Sequence, residues 1–152
     1  MRIPLLLVAV LSLSMALIAA ESFVGTWKLN VEKSKLTGNN ADLASETMTI
    51  SKTGANSFRT TIDSVLKSGK TQHFEINRIY DGKEHPATGV GFREGLTEID
   101  QRLDASTRKI TQKRDGKLAG EFTSTVSPNG KTLTNDTHRI DGSEDIQVFE
   151  KQ

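Results

Sequence analysis

The sequence predicts an all-β protein: a single antiparallel meander β-barrel of about 8–10 strands, preceded by a signal peptide. Three features predict this fold. Short runs rich in Thr, Ile, Val and Phe alternate with glycine-centred turns, and an uncharged apolar stretch precedes the first run. Seventeen threonines follow residue 20, and β-branched side chains favour strands over helices.

The first twenty residues have the pattern of a signal peptide. Residues 3–20 contain no charge and follow the basic Arg2, and Ala20 offers a small side chain at the cleavage position. We therefore expect residues 1–20 to be removed and residues 21–152 to form the barrel domain, exported to a periplasm or secreted. The alternative is an uncleaved membrane anchor, although the apolar run barely reaches the length of a membrane span.

Composition excludes several function classes. The net charge is +1 and loses Arg2 with the leader, so no nucleic-acid partner is expected. No membrane span is expected after cleavage. The chain has no cysteine, so hydrogen-bonded sheet and a modest apolar core must stabilise the exported domain without disulfides.

Turn signals divide the domain into strands. Pairs such as Asp81-Gly82, Asp115-Gly116, Asn129-Gly130 and Asp141-Gly142 favour two-residue hairpin turns, so consecutive strands should pair antiparallel. We predict strands at about 23–29, 45–52, 56–65, 71–80, 96–103, 107–114, 118–126, 131–140 and 144–151. Residues 32–44 are predicted to form a loop or at most one helical turn, and residues 80–91 a long loop.

Closing these strands into a barrel removes exposed sheet edges. Alternation then predicts the inward side chains. The apolar ones are Phe23, Gly25, Trp27, Leu29, Met48, Ile50, Phe58, Ile62, Phe74, Ile76, Ile99, Leu103, Phe122, Val126, Ile146 and Val148. Polar residues on the same faces are Thr60, Gln72, Arg78, Tyr80, Gln101, Gln112 and Ser124. The predicted inner wall is therefore mixed.

The segment Phe23-Val24-Gly25-Thr26-Trp27-Lys28-Leu29 is the most specific local feature. Its glycine lets the first strand bend, and its tryptophan can close one end of a barrel. The segment resembles the Gly-x-Trp opening of the calycin superfamily, which includes lipocalins and fatty-acid-binding proteins. The chain is also similar to uncharacterised exported bacterial proteins described as lipocalin-like. The resemblance implies the fold and the structural positions Gly25 and Trp27.

Five residues are candidate ligand contacts: Trp27, Arg78, Tyr80, Gln101 and Gln112. An inward Arg78 must find an anion, and it could bind a ligand carboxylate with Tyr80 as a second donor. Alternatively, Arg78 pairs with an internal Asp or Glu, or lies at the strand end in water. The charged run at Arg108 is interpreted as an outer strand face.

No metal site, cofactor or catalytic residue is expected. The three histidines, His73, His85 and His138, are interpreted as surface residues, and the chain contains no motif of a metalloprotease, serine hydrolase or phosphate loop. The favoured function is non-catalytic binding of a small lipophilic or carboxylate-bearing molecule inside the barrel. The alternatives are a filled barrel that acts as a cell-envelope scaffold, and a calycin-type isomerase or haem-binding protein.

Overall fold

The structure is a computed structural model that describes residues 22–91 and 94–152. The predicted signal peptide at residues 1–20 lies outside the described residues. Within the described residues, eleven strands form one antiparallel sheet: β1 Gly25–Leu29, β2 Leu43–Lys52, β3 Ser57–Leu66, β4 Thr71–Ile79, β5 Glu84–Pro86, β6 Thr88–Val90, β7 Leu96–Arg102, β8 Thr107–Arg114, β9 Lys117–Val126, β10 Thr132–Arg139 and β11 Glu144–Lys151. The predicted all-β fold is confirmed.

Sequence-adjacent strands pair throughout β1–β4 and β7–β11, and β11 returns to pair with β1. The hairpin rhythm of the turn signals explains this meander. Two 3₁₀ turns, Val31–Lys33 and Gly38–Asn40, lie between β1 and β2. In the described part of the chain, no helix has the length and apolarity needed to cross a membrane.

A seam of two short strands nearly closes the barrel. β5 pairs with β7 and β6 pairs with β4, so the two edges of the sheet are separated along the chain only by Ala87. The Ala87 amide donates to the Leu96 carbonyl at 2.9 Å. The prediction of a loop over residues 80–91 is therefore wrong for β5 and β6. The sequence contains no signal for them, because each strand has only three residues and the two strands pair with different partners, β5 with β7 and β6 with β4.

The apolar core fills the end of the barrel where β1 begins, here called the lower end. Trp27 is fully buried, and its indole Nε1 donates to the Phe23 carbonyl at 2.9 Å. Phe58, Leu133 and Phe149 pack into the same cluster. Burial of these side chains supplies much of the hydrophobic stabilisation, about 1.5–3 kcal/mol per large side chain. The structural position predicted for Trp27 is confirmed.

On β7 and β11, the side chains that face the barrel interior are the ones predicted to face outward. On β7, Glu98 and Asp100 are buried, whereas Gln101 is exposed and Ile99 is half-buried; Leu103, just after the strand, is exposed as well. The reason is electrostatic, because the two carboxylates face the inward Arg78 of β4.

On β11, Asp145, Gln147 and Phe149 are buried and Ile146 and Val148 are half-buried. Asp145 accepts hydrogen bonds from the Thr37 amide and from Asn40 Nδ2, both at 2.7 Å. The carboxylate points inward because it satisfies donors of the segment between β1 and β2.

A substitution at Gly89 tests whether the β4–β6 pairing closes the barrel. Its φ of +140° is unfavourable for other residues, and a Cβ there would overlap the Glu75 carbonyl oxygen across the β4–β6 ladder. We expect Gly89→Ala to lower the free energy of unfolding by about 2–3 kcal/mol and to speed hydrogen exchange at residues 75–77 and 88–90. Denaturant unfolding and exchange mass spectrometry measure these effects.

Gly82→Ala is the matched control. Gly82 also has a positive φ of +74°, but a Cβ there meets nothing within 4 Å, so only the backbone cost of about 1 kcal/mol remains. Equal destabilisation by both substitutions, with no local exchange change at residues 88–90, would contradict the proposed closure.

Candidate functional site: the barrel interior

Three cavities follow one another from the open end of the barrel to the lower end. The mouth cavity, about 710 Å³, is lined by the ends of β8, β9 and β10 and by Asn40. The middle cavity measures about 130 Å³ and the lower cavity about 30 Å³. Phe122 lines all three cavities, Thr137 the first two, and Arg78 the last two. A path of partly open space therefore leads inward from the mouth.

Arg78 lies at the centre of a buried ion-pair network. Its Nε and Nη2 donate to the two Glu98 oxygens at 3.2 and 3.3 Å, and Nε lies 3.8 Å from Asp100 Oδ1. Gln112 Nε2 donates to Glu98 at 2.8 Å. Burial alone would lower the pKa of Arg78, but the attraction of Glu98, with smaller effects of Tyr80 and Asp100, raises it. Arg78 is thus already neutralised by the protein.

Asp100 is the carboxylate of this network with the less favourable environment for a negative charge. Burial raises the pKa of its carboxyl to about 6, with Glu98 adding to the effect while Arg78 and His85 oppose it. Its Oδ1 is buried and accepts no hydrogen bond from the described residues. Two carboxylates therefore share one guanidinium, and the second is held less firmly.

Arg108 is the second buried arginine of the interior, and it has a different environment. Only 2% of its surface is exposed. Its guanidinium carbon lies 3.9, 4.3 and 4.4 Å from the ring centroids of Phe23, Phe58 and Tyr80. Its Nε and Nη2 have no hydrogen-bond partner, and no carboxylate of residues 22–91 or 94–152 forms an ion pair with it.

The aromatic rings stabilise the Arg108 cation only in part. Cation–π contacts are worth about 0.5–2 kcal/mol each, less than the cost of burying an unpaired charge. Burial lowers the pKa of Arg108, opposed by the adjacent Tyr80 phenol, yet a guanidinium remains charged at neutral pH. The lower cavity, lined by Arg108, Tyr80 and Arg78, therefore contains unused cationic hydrogen-bond donors.

Glu46 is a further buried titratable group of the interior, and it lines the middle cavity. Glu46 accepts a hydrogen bond from Ser64 at 2.8 Å and a longer one from Gln147 at 3.4 Å. Burial raises the pKa of Glu46, which these hydrogen bonds oppose. Because Glu46 lines the middle cavity, this part of the path disfavours a further negative charge.

The structure brings three of the five predicted site residues together. Arg78, Tyr80 and Gln112 point into the barrel, where Arg78 takes the internally paired alternative. Gln101 is exposed on the outer face of β7, so its predicted inward orientation is wrong. Trp27 belongs to the apolar end and lines none of the three cavities.

Sequence reasoning missed Arg108, Glu98 and Asp100. Interpreting Arg108 as part of an outer face is wrong, and the alternation itself contained the signal. Gln112 was placed inward on β8, and Arg108, four residues earlier on the same strand, must share its face. The two acids were missed because apolar Ile99 was assigned inward in their place.

Comparison with solved structures identifies the architecture. The fluorescent protein UnaG superposes with a TM-score of 0.65 at 17% identity, covering 88% of this chain and 99% of UnaG. The chain has the calycin fold. The fatty-acid-binding protein 1 of Echinococcus granulosus gives a TM-score of 0.59 at 15% identity, covering 86% of this chain and 98% of that one.

The calycin match extends to a ligand complex. The Schistosoma mansoni fatty-acid-binding protein in complex with arachidonic acid gives a TM-score of 0.61 at 13% identity, covering 88% of this chain and 98% of that one. No family model and no curated protein matches the sequence. The calycin resemblance predicted from the first strand is thus confirmed at the level of fold.

The raised pKa of Asp100 predicts a pH-dependent stability. Below about pH 4 both folded and unfolded chains keep the Asp100 proton; between pH 4 and 6 only the folded chain keeps it. This contribution to the free energy of unfolding, about 2–3 kcal/mol, is therefore complete at low pH and is lost as pH rises through about 6. Asp100→Asn should lack that loss.

Urea unfolding at pH 4.5 and pH 7.5 measures the effect as the difference between the wild type and Asp100→Asn. Taking this difference cancels the contribution of Glu46, which has the same sign. An identical pH slope in Asp100→Asn and the wild type would refute the assignment.

Proposed function

We propose that the protein binds a small amphipathic molecule with an anionic head group inside the barrel, without catalysis. The head group lies beside Arg108 and Tyr80, and the apolar part extends through the middle cavity toward the mouth. One observation supports this most strongly: Arg108 is a buried guanidinium with unused donors, no carboxylate partner among the described residues, and an adjacent cavity.

The size of the lower cavity suits a carboxylate. A cavity needs about 10–15 Å³ of this kind of space for each water-sized group, so about 30 Å³ accommodates two oxygen atoms. A carboxylate offers two oxygens to the guanidinium and removes the uncompensated charge. The bound acid would then supply the negative charge that no described protein group supplies to Arg108.

The walls of the path suit an apolar chain. Met48, Ile62, Ile76 and Phe122 line the middle cavity, and the mouth cavity is of the size of small-molecule sites. The arachidonic acid of the Schistosoma mansoni complex is an amphipathic carboxylate, which supports the same ligand class here. The Arg78 network occupies part of the lumen and favours a slender ligand over a bulky one.

We further propose that the protein works outside the cytoplasm, after signal cleavage near Ala20. The uncharged apolar residues 3–20, which follow the basic Arg2, support export. In that compartment the protein would hold or carry a poorly soluble acid. N-terminal sequencing of the protein from its native host tests the cleavage.

Arg108→Met tests the head-group site. Dansyl-undecanoic acid serves as the fluorescent carboxylate probe, and its methyl ester as the uncharged analogue. Loss of two charge-assisted hydrogen bonds, about 2–3 kcal/mol, should weaken binding of the acid about 30- to 160-fold and leave the weaker binding of the ester nearly unchanged. Fluorescence titration gives both affinities.

Lys109→Met is the matched control, because Lys109 is the neighbouring cation on the outer face of β8 and pairs with Glu121 at 3.0 Å. It should bind the acid as the wild type does. Equal affinity of wild type and Arg108→Met for the acid would contradict the proposed head-group site. Failure of the wild type to bind either probe would favour the filled scaffold.

Thr137→Trp tests the path. Thr137 lines both the mouth and middle cavities, so an indole there should block the way and weaken probe binding at least tenfold. Thr134→Trp places the same ring on the outer face of β10 and should have little effect. Unchanged binding in Thr137→Trp would place the ligand outside the barrel interior.

A further inference from the structure

Asp136, His138 and Glu144 meet on the outer face of the barrel, and Thr137 between the first two points to the interior path instead. His138 pairs directly with Glu144 across the β10–β11 ladder, and Asp136 lies two residues before His138 on the same face. One ligand-type atom from each residue lies within 4.8 Å of the other two. An imidazole and two carboxylates thus converge from two rigid strands.

The contact between Asp136 and His138 is not an ordinary hydrogen bond. Asp136 Oδ1 is inaccessible to water and accepts no hydrogen bond from the described residues, although His138 Nε2 lies only 3.3 Å away. Two donors bound to one Zn²⁺ at about 2.0–2.2 Å in a tetrahedral shell stand about 3.4 Å apart. The spacing and the unused oxygen match a shared metal ion better than a shared proton.

Lys35 is the competing cation at this cluster. Its ammonium lies 2.8 Å from Glu144 Oε2, and this hydrogen bond raises the pKa of Lys35. Most of the Lys35 side chain is exposed (59%), so it can turn into water at little cost. Among the described residues, Asp136 forms no ion pair with a lysine or arginine, and Lys35 interacts with it only at longer range.

The surrounding groups add negative charge. Glu121 lies opposite His138 on β9, but it forms its own bonds to Lys109 and Thr111. Three carboxylates therefore surround one imidazole, and among residues 22–91 and 94–152 only Glu121 and Glu144 have a lysine in contact. This excess favours a divalent ion over a neutral occupant.

We propose that Asp136, His138 and Glu144 form a surface binding site for a divalent transition-metal ion of the Zn²⁺ class, with water as the remaining ligand. Imidazole with carboxylates suits such borderline ions better than Ca²⁺ or Mg²⁺. The site is independent of the interior ligand, because its residues project from the opposite face of β10 and β11.

Isothermal titration of the purified, tag-free protein with ZnCl₂ at pH 7.5 tests this site. The wild type should bind one Zn²⁺ per chain, and His138→Gln should weaken that binding at least tenfold. Lys35→Gln should strengthen it severalfold, since Glu144 is then released from its ammonium partner. A merely structural role for the cluster would not produce this gain.

His73→Gln is the matched control, because His73 is also exposed beside two carboxylates, Asp63 and Glu75, and this substitution should leave the Zn²⁺ affinity unchanged. Ring resonances of His138, and not those of His73 or His85, should shift on ZnCl₂ addition in NMR spectra. Absence of binding at millimolar Zn²⁺, or unchanged affinity in His138→Gln, would overturn the proposal.

Discussion

A buried guanidinium needs a counter-charge, and this constraint organises the interior of the barrel. Arg78 on β4 and Arg108 on β8 are both buried inside the barrel, and both line the lower cavity. Arg78 receives two carboxylates from β7. Arg108 receives aromatic faces and no carboxylate from the described residues. The two buried arginines therefore differ in that Arg78 is neutralised by carboxylates and Arg108 is in contact only with aromatic rings among the groups described.

The Arg78 network also holds the barrel together at its weakest line. β4 and β7 are joined only through the three-residue strands β5 and β6, and the ion pair between Arg78 and Glu98 spans the same seam from inside. Buried ion pairs contribute little net stability but are costly to break singly. The network therefore fixes the register and closure of the seam, at the cost of filling part of the lumen with polar side chains.

Most of the fold could be predicted from the sequence because the signals are local. Turn pairs such as Asp115-Gly116 set the hairpins, and the Gly25–Trp27 opening sets the first strand. The misassigned faces of β7 and β11 show the limit of hydrophobic alternation. It assigns Ile99 and Ile146 inward, whereas ion pairing and hydrogen bonding with distant segments bring Glu98 and Asp145 inward instead.

The site was less predictable, since its chemistry depends on pairings between strands. Arg78 and Tyr80 could be placed from one strand alone, but the neutralisation of Arg78 depends on β7. The isolation of Arg108 is visible only when every neighbour is known. The outer cluster of Asp136, His138 and Glu144 likewise depends on the β10–β11 register, because His138 and Glu144 are brought together by a turn.

The most direct test of the central claim is a crystal structure of the protein soaked with a long-chain carboxylate such as oleate. The account predicts density inside the barrel, with carboxylate oxygens within hydrogen-bond distance of the Arg108 guanidinium and the apolar chain passing Phe122 toward the mouth. A carboxylate bound at the mouth beside Arg139, or an Arg108 that pairs with a carboxylate of the protein itself, would contradict it.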